Sequence, residues 1–156
     1  SICLHPSPLP KYRGGSPLQH QIISGEKESA VTLFIMNEQV DKGPILWQEE
    51  FSLDGDLTEI FDRIIEKGKK GLNEVIDIYL KQGNLKGTLQ DENKATYYKR
   101  RTPEQSEIKI SDFDKYTAEE LNNKIRALQD PYPNAFIICK DRTKLFIQKS
   151  KIKEEK

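Results

Sequence analysis

The chain has little cysteine and little histidine, which argues against disulfide frameworks and metal centres. Cys3 and Cys139 are its two cysteines among 156 residues, and they lack the CxxC spacing of redox and zinc motifs. The two histidines lie at unrelated spacings, so we expect no metal site. Few cysteines beside many lysines are typical of a reducing compartment, so we expect a cytoplasmic protein.

The chain also lacks a charge imbalance and a long apolar run. Lys and Arg number 25 and Asp and Glu number 25, so the net charge is +0 and no broad field attracts nucleic acid. The mean hydropathy is −0.73, and no apolar run approaches the roughly 18 residues of a membrane span. We therefore expect no membrane partner.

The first residues, Ser-Ile-Cys-Leu, resemble the interior of a strand. We therefore expect an N-terminal portion of the fold to be missing, which leaves one sheet edge open. Near the C-terminus, apolar strands around residues 135–147 predict a hairpin whose edge is available for a homodimer.

A loop rich in proline and glycine follows the short apolar segment at residues 2–4. It begins at His5 and contains the Gly14-Gly15 pair. Its prolines are Pro6, Pro8, Pro10 and Pro17. Proline fixes φ and glycine permits positive φ, so this loop is predicted to hold one shape. Ser16 is then the expected N-cap of a short helix over residues 16–24.

Two apolar runs and one long amphipathic pattern follow. Residues 29–36 and 45–53 predict strands of a hairpin with Asp41 at its tip. A 3.6-residue period predicts a helix that begins at Asp56 or Thr58 and ends near residue 83. Gly68 and Gly71 interrupt it, which indicates close packing or a bend.

The expected organisation has three parts. Residues 1–83 form an α/β portion, residues 84–111 a polar linker, and residues 112–156 a small C-terminal subdomain of one helix and one hairpin.

His5 and Asp41 are the candidate catalytic pair. An imidazole can act as acid or base near neutral pH, and a carboxylate can orient it. Ligands bind beyond the carboxyl ends of strands in α/β sheets, which is where His5 stands. The alternative from the residues alone is that His5 is a structural histidine of a proline-rich loop.

Two basic segments are candidate anion sites. Tyr12 and Arg13 could position an anionic substrate, and Arg100 and Arg101 could clamp a phosphate. A solvated loop is an equally good interpretation of the first segment. For the second, a solvated basic run is the commoner case.

Three blocks together resemble the folate-dependent formyltransferase family. They are HPSPLPKYRGGSP (5–17), QHQIISGEKESAVTLFIM (19–36) and VDKGPIL (40–46), and RRTPEQSEI and RALQDPYPNAF extend the resemblance towards the end. The resemblance implies a Rossmann-like sheet without its N-terminal half, followed by a small C-terminal subdomain. It also implies 10-formyltetrahydrofolate as the cosubstrate.

The resemblance assigns roles residue by residue. His5 and Asp41 match the catalytic histidine and aspartate, whereas Cys3 stands where the family has a catalytic asparagine. The turn implied to bind the cofactor comprises Met36, Asn37, Glu38, Val40 and Asp41. The residues expected to border the substrate are Ser7, Tyr12, Arg13, Gly14, Arg100 and Arg101.

The acceptor expected from the sequence is the amine of a nucleotide-linked amino sugar. The short stretch after Phe136 and the neutral net charge favour this acceptor over a tRNA. Methionyl-tRNA formyltransferase is the alternative. A second alternative is a non-catalytic relative, because a thiol is a weak donor where the family has an amide.

Overall fold

The first half of the chain forms a three-stranded antiparallel sheet against which one long helix packs. A computed structural model describes residues 1–153. In chain order the elements are β1 (Ile2–His5), β2 (Arg13–Gly14), α1 (Pro17–Ile23), β3 (Glu28–Ile35), β4 (Ile45–Ser52), α2 (Leu57–Gln82), β5 (Tyr97–Tyr98), α3 (Ala118–Arg126), β6 (Ala135–Ile138) and β7 (Lys144–Ile147). The sheet order is β1-β3-β4.

The predicted hairpin is confirmed. β3 pairs antiparallel with β4, and the turn between them carries Asp41. β1 pairs antiparallel with the other side of β3, which places His5 opposite Thr32. The side chain of His5 is therefore fixed at the end of a paired strand.

The long helix is also confirmed, with Asp56 as its N-cap. The Asp56 carboxylate accepts a hydrogen bond from the Glu59 amide, and the Glu59 side chain accepts one from the Asp56 amide. Gly68 and Gly71 serve close packing within a continuous helix. A Cβ on Gly68 would lie 2.6 Å from Leu4 Cδ1, and one on Gly71 would lie 2.4 Å from Trp47 Cε3.

Apolar side chains from α1, β3, β4 and α2 form the main core. Its fully buried members are Leu18, Ile22, Val31, Phe51, Leu53, Leu57, Ile60, Ile64 and Ala127. This core supports the sheet edge at which β1 ends.

Ser16 occupies the predicted N-cap position of α1, but its side chain does not cap the helix. Ser16 has φ 54°, and its side chain makes no capping hydrogen bond to the helix. Its hydroxyl instead accepts a hydrogen bond from the Arg101 amide at 3.0 Å. The reason is long-range, because a later segment of the chain uses the side chain that local sequence assigns to the helix.

The C-terminal helix and hairpin have the predicted form. β6 pairs antiparallel with β7, and α3 begins at the N-cap Thr117. A second small core consists of Ile108, Ile125, Leu128 and Ala135. Residues 154–156 of the expected subdomain lie outside the described residues. Among the helices of residues 1–153, none has both the length and the apolar character needed to cross a bilayer.

Candidate active site

His5 and Asp41 meet at the end of β1. The distance from His5 Nδ1 to Asp41 Oδ2 is 3.8 Å. The His5 side chain is 8% exposed and that of Asp41 is 16% exposed, so both lie in a sheltered position. This separation suits an electrostatic contact or one that tightens when a ligand binds.

A second contact fixes the Asp41 carboxylate. Its Oδ2 accepts a hydrogen bond of 2.7 Å from the Gly14 amide. Asp41 itself has φ 53°, a left-handed conformation that a side chain disfavours. The residue is therefore held in an unfavourable backbone conformation with its carboxylate directed at His5, an arrangement frequent in functional sites.

The hydrogen bond of the other ring nitrogen defines the tautomer of His5. His5 Nε2 lies 2.9 Å from the Tyr12 carbonyl oxygen. A carbonyl can only accept, so Nε2 carries a proton. In neutral imidazole the lone pair is then on Nδ1, the nitrogen that faces Asp41. His5 can therefore accept a proton beside a carboxylate, which stabilises the imidazolium that results.

Arg13 does not face a ligand, which corrects the expectation from sequence. Its side chain is 0% exposed, and its guanidinium donates to Gln90, Glu92 and the Tyr97 hydroxyl. All five N–H groups of an arginine are thereby used. Burial opposes its charge, but the hydrogen bonds to Glu92 and Tyr97 outweigh burial and raise the pKa of Arg13.

Ser7 and Tyr12 are likewise part of the protein interior rather than of a ligand surface. Ser7 is 0% exposed, and its hydroxyl donates to the Lys11 carbonyl at 2.8 Å. The Tyr12 hydroxyl donates to Glu26 at 2.7 Å, and its ring stacks on Tyr98 at 5.0 Å. These side chains shape the loop, and Gly14 contributes its amide to Asp41.

The predicted linker at residues 84–111, called the connector from here on, carries site residues that the sequence did not reveal. β5 pairs in parallel with β2. The side-chain amide of Gln90 donates hydrogen bonds to the backbone carbonyls of Asp41 and Gly43. A signal was present in the Gly14-Gly15 pair, because a Cβ on either glycine would lie 2.4 Å from connector backbone. Paired glycines of this kind indicate a close backbone approach.

The turn that precedes Asp41 exposes its side chains beside the site. Met36 is 54% exposed and Val40 is 65% exposed, and Asn37 and Glu38 are exposed as well. The turn therefore leaves both apolar and polar side chains accessible directly before Asp41. The structure thus brings the predicted cofactor turn next to the predicted catalytic pair.

Two family models match this chain. One described as formyl transferase matches residues 1–76, and one described as formyl transferase, C-terminal domain, matches residues 102–156. The chain belongs to the formyltransferase family. The resemblance seen in the sequence blocks is thereby confirmed.

Three relatives show what share of a family member's length this chain covers. It is 36% identical to the methionyl-tRNA formyltransferase of Lactobacillus gasseri over 157 residues, which is 99% of this chain and 48% of that protein. The methionyl-tRNA formyltransferase structure from Clostridium thermocellum matches with a TM-score of 0.72 and 34% identity, covering 87% of this chain and 56% of that one. An N-formyltransferase structure from Helicobacter canadensis, in complex with folinic acid and dTDP-3-aminofucose, matches with a TM-score of 0.69 and 24% identity, covering 81% and 46%. The chain spans about half the length of the curated relative.

Within this formyltransferase chain, Cys3 lies two residues before His5 on β1, so both side chains project to one face of the sheet. Its Sγ lies 3.6 Å from the Leu4 carbonyl oxygen. Burial, and next the charge of Asp41, raise the pKa of the Cys3 thiol. The thiol therefore keeps its proton at neutral pH, but this proton is directed towards a carbonyl of the protein.

The basic pair of the connector splits between two environments. Arg100 is exposed, whereas Arg101 lines a cleft of about 720 Å³ together with Leu121 and Lys124 of α3. Burial lowers the pKa of Arg101, and among the described residues its Nε has no hydrogen-bond partner. The two arginines therefore do not form one clamp beside His5.

Proposed function

We propose that this chain carries the acid/base pair for transfer of a formyl group from 10-formyltetrahydrofolate to an amine. The observation that carries the proposal is the approach of Asp41 Oδ2 to His5 Nδ1, at 3.8 Å. Membership of the formyltransferase family supports the same reaction class. The chain is about half of a curated relative, so the proposal concerns a protein that contains this part.

The roles of the two residues follow from their hydrogen bonds. When bound, the folate supplies the formyl group that the amine attacks. His5 Nδ1 would accept the proton that the amine loses and return it to the folate nitrogen from which the formyl group departs, while Nε2 stays bonded to the Tyr12 carbonyl. Asp41 stabilises the imidazolium through its charge, since its Oδ2 is held in place by the Gly14 amide.

The exposed turn beside Asp41 fits the folate. Met36 and Val40 supply apolar surface for a pterin ring, and the turn's polar residues Asn37 and Glu38 can bond to its edge. Folinic acid in the Helicobacter canadensis complex supports a folate ligand for this fold.

For the acceptor, the relatives reverse the order of preference drawn from the sequence. The Lactobacillus gasseri and Clostridium thermocellum relatives, at 36% and 34% identity, are methionyl-tRNA formyltransferases, which supports methionyl-tRNA as the first candidate acceptor. The nucleotide-linked amino sugar becomes the second candidate. It is supported by the dTDP-3-aminofucose in a complex at 24% identity, a level at which only the fold is shared.

We expect activity to need the part of the family fold that this chain does not contain. An apolar cleft of about 400 Å³ lies between β1 and α2, and Ile2, Leu4 and Leu72 in it are exposed. Apolar surface of this kind is normally covered in an active enzyme.

The test compares this chain alone with the same chain fused after the unmatched half of the Lactobacillus gasseri relative. Each protein is incubated with 10-formyltetrahydrofolate and either methionyl-tRNA or a panel of nucleotide-linked amino sugars, and the products are weighed by mass spectrometry. We expect formylated methionyl-tRNA from the fusion. His5→Ala should reduce transfer by about 10²-fold or more, with the circular dichroism spectrum unchanged.

Three outcomes would change the proposal. Full activity of His5→Ala would remove His5 from the mechanism. A formylated amino sugar without formylated tRNA would select the second acceptor. Folate binding without any formylated product would favour the non-catalytic alternative based on Cys3.

A further inference from the structure

We infer that Gln90 is a positioning residue that holds Asp41 in place for His5. Gln90 belongs to the connector and contacts neither His5 nor the exposed cofactor turn at Met36–Val40 in the hydrogen bonds of the structure. It acts through the backbone of Asp41. The kinetic part of this inference rests on the proposed function, whereas its structural part does not.

One end of the Gln90 side chain binds the backbone of residues 41–43, directly after the exposed turn. Its Nε2 donates to the Asp41 carbonyl at 2.9 Å and to the Gly43 carbonyl at 2.8 Å. Both protons of the amide are therefore directed at a turn that contains the left-handed Asp41. Asp adopts this conformation more readily than most non-glycine residues, and the two hydrogen bonds from Gln90 help to maintain it at Asp41.

The other end of the side chain is fixed by Arg13. Gln90 Oε1 accepts hydrogen bonds from Arg13 Nε at 3.0 Å and from Nη2 at 2.8 Å. The Glu92 carboxylate accepts two further hydrogen bonds from the Arg13 guanidinium, of 2.8 and 3.2 Å. Arg13 is fully buried, so Gln90 cannot leave without exposing unsatisfied donors of a buried charge. The amide orientation of Gln90 is thereby determined.

The direction of this support matters for the chemistry. The Asp41 side chain accepts a hydrogen bond from the Gly14 amide and faces His5, while the backbone carbonyl of Asp41 accepts one from Gln90. Loss of the outer contact frees the turn to relax, and the carboxylate then moves away from His5. Hydrogen-bond partners that orient metal ligands change activity by about 10–100-fold when removed, and we expect a change in the same range here.

The first experiment measures amide hydrogen exchange in the chain itself. Gln90→Met keeps the size of the side chain and removes its polar groups, and Gln90→Glu keeps the acceptor for Arg13 but removes both donors. The Gly14 amide reports on the Asp41 carboxylate, and the Gly15 amide, bonded to the Tyr98 carbonyl at 2.9 Å, reports on docking of the connector. We expect exchange at Gly14 to rise about tenfold or more in both variants.

The matched control is Gln82→Met, at the exposed end of α2. It should leave both amides at their original rates. Gly15 should also stay protected in Gln90→Glu, because the pairing of β2 with β5 does not involve the Gln90 side chain. Unchanged protection of Gly14 in Gln90→Glu would overturn the inference. Equal loss of protection at Gly14 and Gly15 in both variants would also overturn it, because it would show general undocking of the connector.

The second experiment is a double-mutant cycle on the active fusion protein. We expect Gln90→Glu to lower kcat about 10–100-fold with KM unchanged. If Gln90 acts through Asp41, adding Gln90→Glu to Asp41→Asn costs no further activity. Multiplied losses would overturn the inference. An inactive unmutated fusion would count against the proposed function, while the exchange experiment would still decide the role of Gln90.

Discussion

Two loops meet at the candidate site, and they differ in how they are held. In the loop at residues 6–16, here called the buried loop, every residue except Lys11 is buried or half-buried, whereas the turn at residues 36–40 is exposed. Thr32 donates to the Ser7 carbonyl at 2.6 Å, and Gln48 donates to the Leu9 carbonyl at 3.1 Å. On the other side, the support from Gln90 reaches the turn at its end, through Asp41 and Gly43.

This difference teaches how the site divides its work. The buried loop fixes the ring of His5 through the Tyr12 carbonyl and supplies the Gly14 amide to Asp41. The exposed turn leaves apolar side chains uncovered beside that pair. The buried loop therefore sets the geometry for the proposed proton transfer. We expect the ligand to bind on the side of the exposed turn.

The largest effect on stability is expected from adding a methyl group at Gly43, where Gln90 supports the end of the turn. In Gly43→Ala the new Cβ would lie 1.5 Å from the Ile35 carbonyl oxygen, so the backbone has to move. We expect the free energy of unfolding to fall by about 3 kcal/mol, measured by urea denaturation. Gly83→Ala is the control, because its Cβ meets nothing within 4 Å and its φ of +71° costs about 1 kcal/mol. Equal losses in the two variants would show that the turn is not constrained at Gly43.

Removal of the buried guanidinium should have the next largest effect. Arg13→Met deletes the group that joins the buried loop to the connector, and we expect a loss of about 2–3 kcal/mol in the free energy of unfolding. The exposed Arg100→Met should change it by less than about 0.5 kcal/mol. Urea denaturation of both variants checks this difference. Similar values would mean that the hydrogen bonds of Arg13 contribute little to holding the loop.

The third prediction concerns the formylation rate rather than stability, and it tests Cys3 on the strand that carries His5. Cys3→Asn places an amide two residues before His5, where the resemblance to the family implies an asparagine. We expect the formylation rate of the fusion protein to stay level or to rise, by up to about tenfold, because an amide donates more strongly than a thiol. Cys139→Asn, in the distant hairpin, should leave the rate unchanged. A large fall in Cys3→Asn alone would show that the thiol has a role of its own.

The smallest effect is a pH dependence of stability that arises in the connector. Hydrogen bonds from Arg13, and then from Lys42, lower the pKa of Glu92 to about 2. A carboxyl pKa that is lower in the folded state stabilises the fold above the unfolded value of about 4.3, and this stabilisation is lost as the pH falls towards 2. We expect the Tm of Glu92→Gln to fall less than that of the unmutated chain between pH 4.5 and 2. Glu92 is 57% exposed, so the difference should shrink in 1 M salt. Parallel Tm curves at low salt would contradict this.

Local sequence patterns were sufficient for the elements that form the framework. β-branched runs predicted the hairpin of β3 and β4, and the 3.6-residue period with Asp56 predicted α2. The proximity of His5 and Asp41 followed from the resemblance to the family and from the placement of both residues at strand ends. These features depend on short stretches of chain and on repeating contacts.

The polar contacts of the connector could not be predicted in the same way. Arg13 bonds to Gln90 and Glu92 across 77 and 79 positions, and no local pattern records such a pair. An arginine in a loop is usually solvated, so its complete burial was not expected. Ser16 lies at the N-cap position, but its hydroxyl makes no capping hydrogen bond for a related reason, since it accepts one from the distant Arg101 amide.

The connector also determines when the site becomes complete during synthesis. The strand with His5, the turn with Asp41 and the helix that follows all leave the ribosome before the segment from Thr88 to Tyr98 does. A nascent chain that has emerged only as far as residue 83 therefore has both acid/base groups and the Gly14 amide, but lacks the Gln90 hydrogen bonds to the Asp41 and Gly43 carbonyls. The geometry that we propose for proton transfer is therefore completed late in folding, when the two-residue strand β5 docks beside Arg13 and Gly14.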